Sequence, residues 1–428
     1  MKFIHAADLH VDSPLRGLDA YEGAPVARIR SATRLALMAL VDLALSEQVD
    51  LVLLAGDIYD GNWPDFKTGL FFREQMVRLT KAGILVFIVK GNHDAESVIT
   101  KSLPEAPGVH VFSARKAETV KLDALGVALH GRSFPEKAVT DDLMPGYPPA
   151  LAGLFNIGLL HTSLTGRPGH NPYAPTTLAA LCSKGYDYVA LGHVHAREVV
   201  QEASPRIVFP GNLQGRDAGE TGPKGCELVT VENGRIASAE HVSLDVVRWH
   251  RWALDTTGMQ SLDDVAAGFQ SLAAEHTAGL RDRLHAVRVS LHGESELARL
   301  EAAQPGSLAA SLQAAAQDLD GVDVWIEKVQ CSEVRLPLDR SLAAARPDAV
   351  GDVIRLVDEL LADDAVLSAW ARQALDDMKD LPRELSDAHP GQWDAAQWRE
   401  ALQAAEASVL AHLGSGASGA ETDAGARP

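Results

Sequence analysis

Cysteine is scarce. Cys182, Cys226 and Cys331 are scattered among 428 residues, too few for a disulfide framework and without the CxxC spacing of a thiolate metal clip. Lone thiols of this kind suit a reducing, cytoplasmic setting. Long apolar runs are absent too, so no stretch approaches the roughly 18 residues of a membrane span. The chain begins MKFIHAADLH, with no basic segment leading into an apolar core, and no secretory leader is expected. Basic charge is also short: 39 Lys+Arg face 58 Asp+Glu, a net of −19. That balance excludes a protein that grips nucleic acid with its whole surface. The deficit is uneven. Residues 1–245 hold 23 basic against 28 acidic side chains (net −5), and residues 246–428 hold 16 against 30 (net −14).

What is present is a set of short runs rich in Val, Ile and Leu, each ending at a residue able to hold a cation. They read FIHAADLH (Asp8, His10), LVLLAGDIYD (Asp57), ILVFIVKGNHD (Asn92, His93, Asp94), IGLLHTS (His161) and YVALGHVH (His193, His195). Runs of this length that stop at glycine or polar residues predict buried parallel strands. Open α/β sheets collect their chemistry at the carboxyl ends of such strands. Asp8 and His10 are two apart, so both point the same way from an extended segment, and His193 and His195 repeat the arrangement. Carboxylates, imidazoles and a carboxamide on one rim predict a dinuclear metal site, with Asp57 as the natural bridge. Two bound cations would also bring residues 1–245 close to neutral.

In this order, DLH…GD…GNHD…H…GHVH resembles the calcineurin-like metallophosphoesterases. Within them the chain is most similar to the SbcD-type DNA repair exonucleases, above all the YhaO branch. AADLHVDSPLRGL, HNPYAP, GYDYVALGHVH and FPGNLQGRDAGETGPKGCELVTV carry that likeness. The resemblance implies a four-layer αββα sandwich. It implies one metal on Asp8, His10, Asp57 and His195, another on Asp57, Asn92, His161 and His193, and Mn²⁺ as the usual metal, although ligand chemistry alone allows Mn, Fe, Zn or mixtures. It further implies that His93 faces the scissile phosphate as a catalytic residue, with Asp94 holding its ring. The implied activity is DNA phosphodiester hydrolysis, as a 3′–5′ exonuclease or an endonuclease, in a homodimer working with an SMC-like coiled-coil ATPase of the SbcC/YhaN kind. The alternative is another phosphoesterase on the same scaffold, a cyclic-nucleotide phosphodiesterase or a phosphoprotein phosphatase. Phosphoprotein phosphatases show GDxxDRG and GNHE, whereas this chain has GDIYDGN and GNHD.

Other polar residues admit plainer readings. His5 and His130 follow strand patterns and are expected to be structural. Asp12 lies close to the ligands, and so does Asp60, which stands where some relatives carry a second catalytic histidine and is expected to organise hydrogen bonds. Arg132, His170, Asn171, Tyr173, Arg216 and Lys224 sit in loops that could reach substrate phosphates, Arg216 with the best guanidinium setting.

Between the strands, residues 27–48 and 66–83 predict helices, the second capped by Gly83. The Asn233–Gly234 pair predicts a hairpin. Four regions follow: a nuclease domain over 1–245, a small α/β capping module over 246–338, an acidic helical region over 339–413 suited to a partner, and a disordered tail over 414–428. Residues 352–378 read as one helix with Val353, Ile354, Val357, Leu360, Leu361, Leu367 and Trp370 on one face. That face is either intramolecular core or a docking site.

Overall fold

Alternate side chains of each central strand face different cores, and this builds the layers. In β1 (Lys2–Ala6), Ile4 and Ala6 enter one cluster and Phe3 another. β2 (Leu51–Ala55) and β3 (Leu85–Val89) repeat the division, with Val52, Leu54, Val86 and Ile88 on one side and Leu51, Leu53, Phe87 and Val89 on the other. A strand buried on both faces has no polar alternation, which explains the continuous apolar runs. The computed structural model describes residues 1–13, 24–60, 66–96, 106–165, 172–377 and 393–416. They form two compact units: Met1–His250 with Asp282–Ala286, and Arg251–Arg281 with Val287–Pro428.

The first unit holds two six-stranded sheets. One has the order β12-β11-β1-β2-β3-β4, where β4 is Val109–Val111, β11 Gly225–Glu232 and β12 Arg235–Ser243. The other is β5-β6-β7-β8-β10-β9, built from Glu118–Leu122, Val127–Gly131, Phe155–His161, Tyr188–Gly192, Arg206–Phe209 and Glu198–Gln201 in that spatial order. β1 to β4 run parallel, as do β6, β7, β8 and β10. The inner core between the sheets contains Phe3, Leu53, Phe87, Leu129, Ile157, Leu159, Tyr188 and Val208. Helices α1 (Val26–Ser46) and α2 (Phe66–Lys81) cover the outer face of the first sheet through Ala36, Leu37, Leu40, Phe72 and Met76. The expected αββα layering is present. The hairpin is present as well, with Asn233 (φ 51) and Gly234 (φ 72) both left-handed, as its tight turn requires.

Strands β13 (Val247–Asp255), β14 (Leu284–Glu294) and β15 (Asp323–Arg335) form a three-stranded sheet in that order. In the second unit the helix Leu262–His276 opens with a Ser261–Asp264 capping box. Its Val265 and Phe269 pack with Val287, Val289 and Leu291 of β14. Two helices, Leu297–Ala303 and Ser307–Gln317, add Leu297, Leu308 and Leu312 to that core. The single helix expected over 352–378 is instead two, Ala349–Ala362 and Asp364–Asp377, because Asp363 is extended (φ −142, ψ 121). Val357, Leu360 and Leu367 from its apolar face are buried with Leu402 of the helix Ala395–Gly416, whereas Trp370 is exposed. The tail beyond residue 416 lies outside the described residues. No helix among the described residues is long and apolar enough to cross a membrane.

His5 sits wholly buried in the inner layer, with Nδ1 2.9 Å from the Tyr188 hydroxyl and Nε2 3.1 Å from the Leu191 carbonyl. Burial pushes its pKa down to about 3. The folded protein therefore holds this ring neutral, while the unfolded chain protonates it near 6.5. The stability it contributes is complete above about pH 6.5 and falls by about 1.4 kcal/mol per pH unit from there toward about pH 3. In urea unfolding across about pH 6.5–4, His5→Gln is expected to show a shallower acid decline than the native chain, by about 1 kcal/mol per unit. Equal slopes would place the titration elsewhere.

Candidate metal centre

Parallel strands place their carboxyl ends on one edge of each sheet. Asp8 and His10 follow β1, Asp57 follows β2, and Asn92 opens the short helix α3 (Asn92–Glu96) after β3. His161 is the last residue of β7, and His193 and His195 follow β8. The backbone continues the pairing beyond the strands: Asp8 N–H donates to the Gly56 carbonyl (3.0 Å) and His10 N–H to that of Asp57 (3.0 Å). Asp8 (φ 51), His10 (φ 42), Asp57 (φ 52) and His193 (φ 106) all adopt positive φ. For residues other than glycine this is uncommon and costs about 1 kcal/mol or more each, a cost usually met at functional sites.

Asp8, His10 and His195 bring ligand atoms within 4.8 Å of one another, and Asp57, His161 and His193 form a second such group. His161 Nδ1 donates to the Ala55 carbonyl (2.9 Å), and its Nε2 lies 3.0 Å from Asn92 Oδ1 and 3.4 Å from Asp57 Oδ2, two acceptors for the proton it carries. His10 Nε2 and His195 Nε2 face each other at 3.2 Å. His193 N–H donates to both Asp8 oxygens (3.1 and 3.0 Å). All seven expected ligands meet in these contacts.

Burial pushes the Asp8 carboxyl up to about 6 and His10 down to about 4. The His10 ring therefore stays in the neutral form that can bind a cation. Against burial, the neighbouring His161 holds Asp57 well below the usual carboxylate range, and Asp57 raises His161 to about 9. A cation between these two would take the place of the shared proton. Imidazole nitrogens converging beside two buried carboxylates and a carboxamide oxygen make a donor set that fits two divalent cations; Asp57 belongs to the second group, and its Oδ1 accepts the His93 backbone N–H at 2.9 Å.

The carboxylate that meets the His93 ring is Asp60, not the expected Asp94. Asp60 Oδ1 lies 2.9 Å from His93 Nδ1, and its Oδ2 accepts from Ser13 Oγ at 2.6 Å. The Asp94 carboxylate instead accepts three backbone N–H groups, from Ile58 (2.9 Å), Tyr59 (3.1 Å) and Gly91 (3.0 Å), and so ties the end of β2 to the GNHD turn. Against burial, the Asp60 contact and the charge of Asp57 raise the His93 pKa. The His93 side chain is 34% exposed. Asp12 is a strut, taking Arg34 Nε (2.7 Å) and Thr68 Oγ1 (2.5 Å).

Two expected phosphate contacts are otherwise engaged. Lys224 is buried and its Nζ donates to the His195 carbonyl (2.7 Å). Arg216 places Nη2 (2.8 Å) and its backbone N–H (2.8 Å) on Glu220. Glu220, which sequence reasoning misses, also lies 2.7 Å from His195 Nδ1. Its only signal is its place in the glycine-rich loop that carries Arg216. Arg132 follows β6, half-buried, and the half-buried Tyr173 ring lies 5.9 Å from that of His193. His170 and Asn171 fall outside the described residues. His130 is structural, bonded to Thr119 (2.8 Å) and Asn156 (3.1 Å).

Residues 1–197 match the calcineurin-like phosphoesterases, and residues 249–333 match the middle domain of metallophosphoesterase YhaO. The chain is a calcineurin-like metallophosphoesterase carrying a YhaO-type middle domain. It is 37% identical over 265 residues to the uncharacterized metallophosphoesterase YhaO of Bacillus subtilis, covering 61% of this chain and 65% of that one. It is 27% identical to the DNA double-strand break repair protein Mre11 of Methanopyrus kandleri, over 59% of this chain and 58% of the relative. Identity to the SbcD component of the SbcCD nuclease of Escherichia coli is 23%, over 58% and 69% respectively. The chain thus spans somewhat under two thirds of the first two relatives.

Gly192 at the end of β8, and Gly56 and Gly91 just past β2 and β3, leave room for the groups to meet. A Cβ on Gly192 would stand 1.9 Å from the Ala55 carbonyl oxygen. Gly192→Ala is therefore expected to force β2 and β8 apart, destabilising the unit by about 3 kcal/mol and weakening divalent-cation binding in calorimetric titration. Native affinity in that variant would refute the close-approach argument.

Proposed function

We propose that this protein is a Mn²⁺-dependent DNA nuclease that hydrolyses backbone phosphodiesters, as a 3′–5′ exonuclease or an endonuclease in DNA repair. The observation that carries the reading is that His93, held by Asp60 at 2.9 Å, has its ring 5.1 Å from that of His10 and its backbone N–H on Asp57, one member of each candidate ligand group. Asp8, His10, Asp57 and His195 would hold one cation, and Asp57, Asn92, His161 and His193 the other. Bound there, the pair supplies Lewis acidity at the phosphoryl oxygens and a hydrolytic water at neutral pH. Asp60 accepts the Nδ1 proton of His93, which leaves Nε2 as the nitrogen that would give a proton to the departing 3′-oxygen. Asp94 holds the turn on which His93 stands.

DNA as substrate is supported by the likeness to the Mre11 DNA repair protein and the SbcCD nuclease. The acidic C-terminal region, with Leu356, Val366 and Trp370 exposed, suits docking of an SMC-like coiled-coil ATPase of the SbcC/YhaN kind, which would supply basic surface for DNA. A homodimer through α1 and α2 is supported by the exposed Leu35, Met38, Phe66 and Leu70.

With Mn²⁺ and end-labelled duplex DNA, the protein is expected to shorten or nick the DNA, and EDTA to abolish this. His93→Ala should lower turnover by about 10²–10⁴-fold with Mn²⁺ affinity retained. Hydrolysis of cyclic nucleotides or phosphopeptides with DNA left intact would overturn the nuclease reading. Leu70→Glu is expected to yield a monomer in light scattering where the native chain is a dimer; an unchanged mass would remove α2 from the interface.

A further inference from the structure

Behind His195 lies a segment, Asn212 to Lys224, that closes on the histidine from three sides. The His195 carbonyl accepts from Lys224 Nζ at 2.7 Å and from the Asn212 N–H at 3.2 Å. Its ring nitrogen Nδ1 lies 2.7 Å from Glu220 Oε1. A carboxylate oxygen only accepts, so Nδ1 carries a proton, and in the neutral ring Nε2 keeps the lone pair. That Nε2 is the atom 3.2 Å from His10 Nε2.

The Glu220 carboxylate is fully committed. Oε1 takes His195 Nδ1 and Arg216 Nη2 (2.8 Å), while Oε2 takes Asn212 Nδ2 (2.8 Å) and the Arg216 N–H (2.8 Å). Arg216 Nη2 and His195 Nδ1, 3.2 Å apart, are both donors converging on Oε1. Glu220 is only 12% exposed, so these bonds are little weakened by water.

We infer that Glu220 is a positioning residue: it fixes the His195 ring so that Nε2 is presented to the cation shared with Asp8 and His10. This rests on the reading of His195 as a ligand given above. A carboxylate behind a metal-bound imidazole sets its tautomer and orientation, and its loss costs about 10–100-fold in metal affinity. The plainer alternative is a strut that holds the loop, whose loss would affect both metal sites or neither.

Glu220→Gln separates the two. A carboxamide must turn its NH₂ toward one pair of donors, either His195 with Arg216 Nη2 or Asn212 with the Arg216 N–H. Calorimetric Mn²⁺ titration of the full chain is expected to show two binding events in the native protein. In Glu220→Gln one event should weaken by about 10–100-fold while the other stays within a few-fold, and Glu220→Asp should recover much of the loss. In Zn²⁺-loaded protein with labelled histidine, the native His195 signal should be that of the Nδ1–H tautomer. Two equally tight events in Glu220→Gln, or an Nε2–H tautomer in the native protein, would overturn the inference alone. A native chain that binds fewer than two cations would overturn the two-metal reading, and this inference with it. If Glu220→Gln fails to fold, Glu220→Asp decides: equal weakening of both events in it contradicts a role at His195.

Discussion

The carbonyl oxygen of Ala55 is the point on which the rim depends. Ala55 ends β2 in one sheet, and the two groups that close on its oxygen end strands of the other. His161 donates Nδ1–H to it at 2.9 Å, and Gly192 approaches so closely that a methyl group would not fit. With no side chain between them there, β2 meets β7 and β8 across the sandwich. Asp57 then comes to 3.4 Å from His161 Nε2, and Asp8 receives the His193 N–H at 3.0 Å. Each sheet alone carries part of each candidate ligand set. Their contact at Ala55 makes the sets complete.

This arrangement concentrates features that folded chains retain chiefly at functional sites. Four candidate ligands have positive φ, two carboxylates are almost wholly buried, and two imidazoles face each other nitrogen to nitrogen. Strain and buried charge of this kind persist only where the surrounding structure enforces them. Here the enforcement comes from backbone donors: Asp94 is gripped by three N–H groups and Asp8 by the His193 N–H. The apolar layers packed on both sheet faces keep these strand ends in register.

The layered fold and the gathering of candidate ligands at one rim are legible because each strand writes its own signal, an apolar run that stops at a donor. The pairing of His93 is not. Asp94 is adjacent in sequence, yet the turn of α3 sends its carboxylate to backbone N–H groups, and Asp60 arrives from the end of β2. Arg216 and Lys224 read as free cations because a sequence does not show which loop acid will meet them. Glu220 does so for Arg216 only after the 212–224 segment folds back on His195. The break at Asp363 is hidden because acidic residues continue the helical pattern on both sides, while an extended backbone at one residue turns the chain. Local periodicity carries the elements, and loop closure carries the partners.

Anomalous diffraction at the manganese edge, from crystals grown with Mn²⁺, tests the central claim most directly. Two peaks about 3.5–4 Å apart on either side of the Asp57 carboxylate are predicted, one near His10 and His195 and the other near His161 and His193. A single peak, or two that do not share Asp57, would contradict the account.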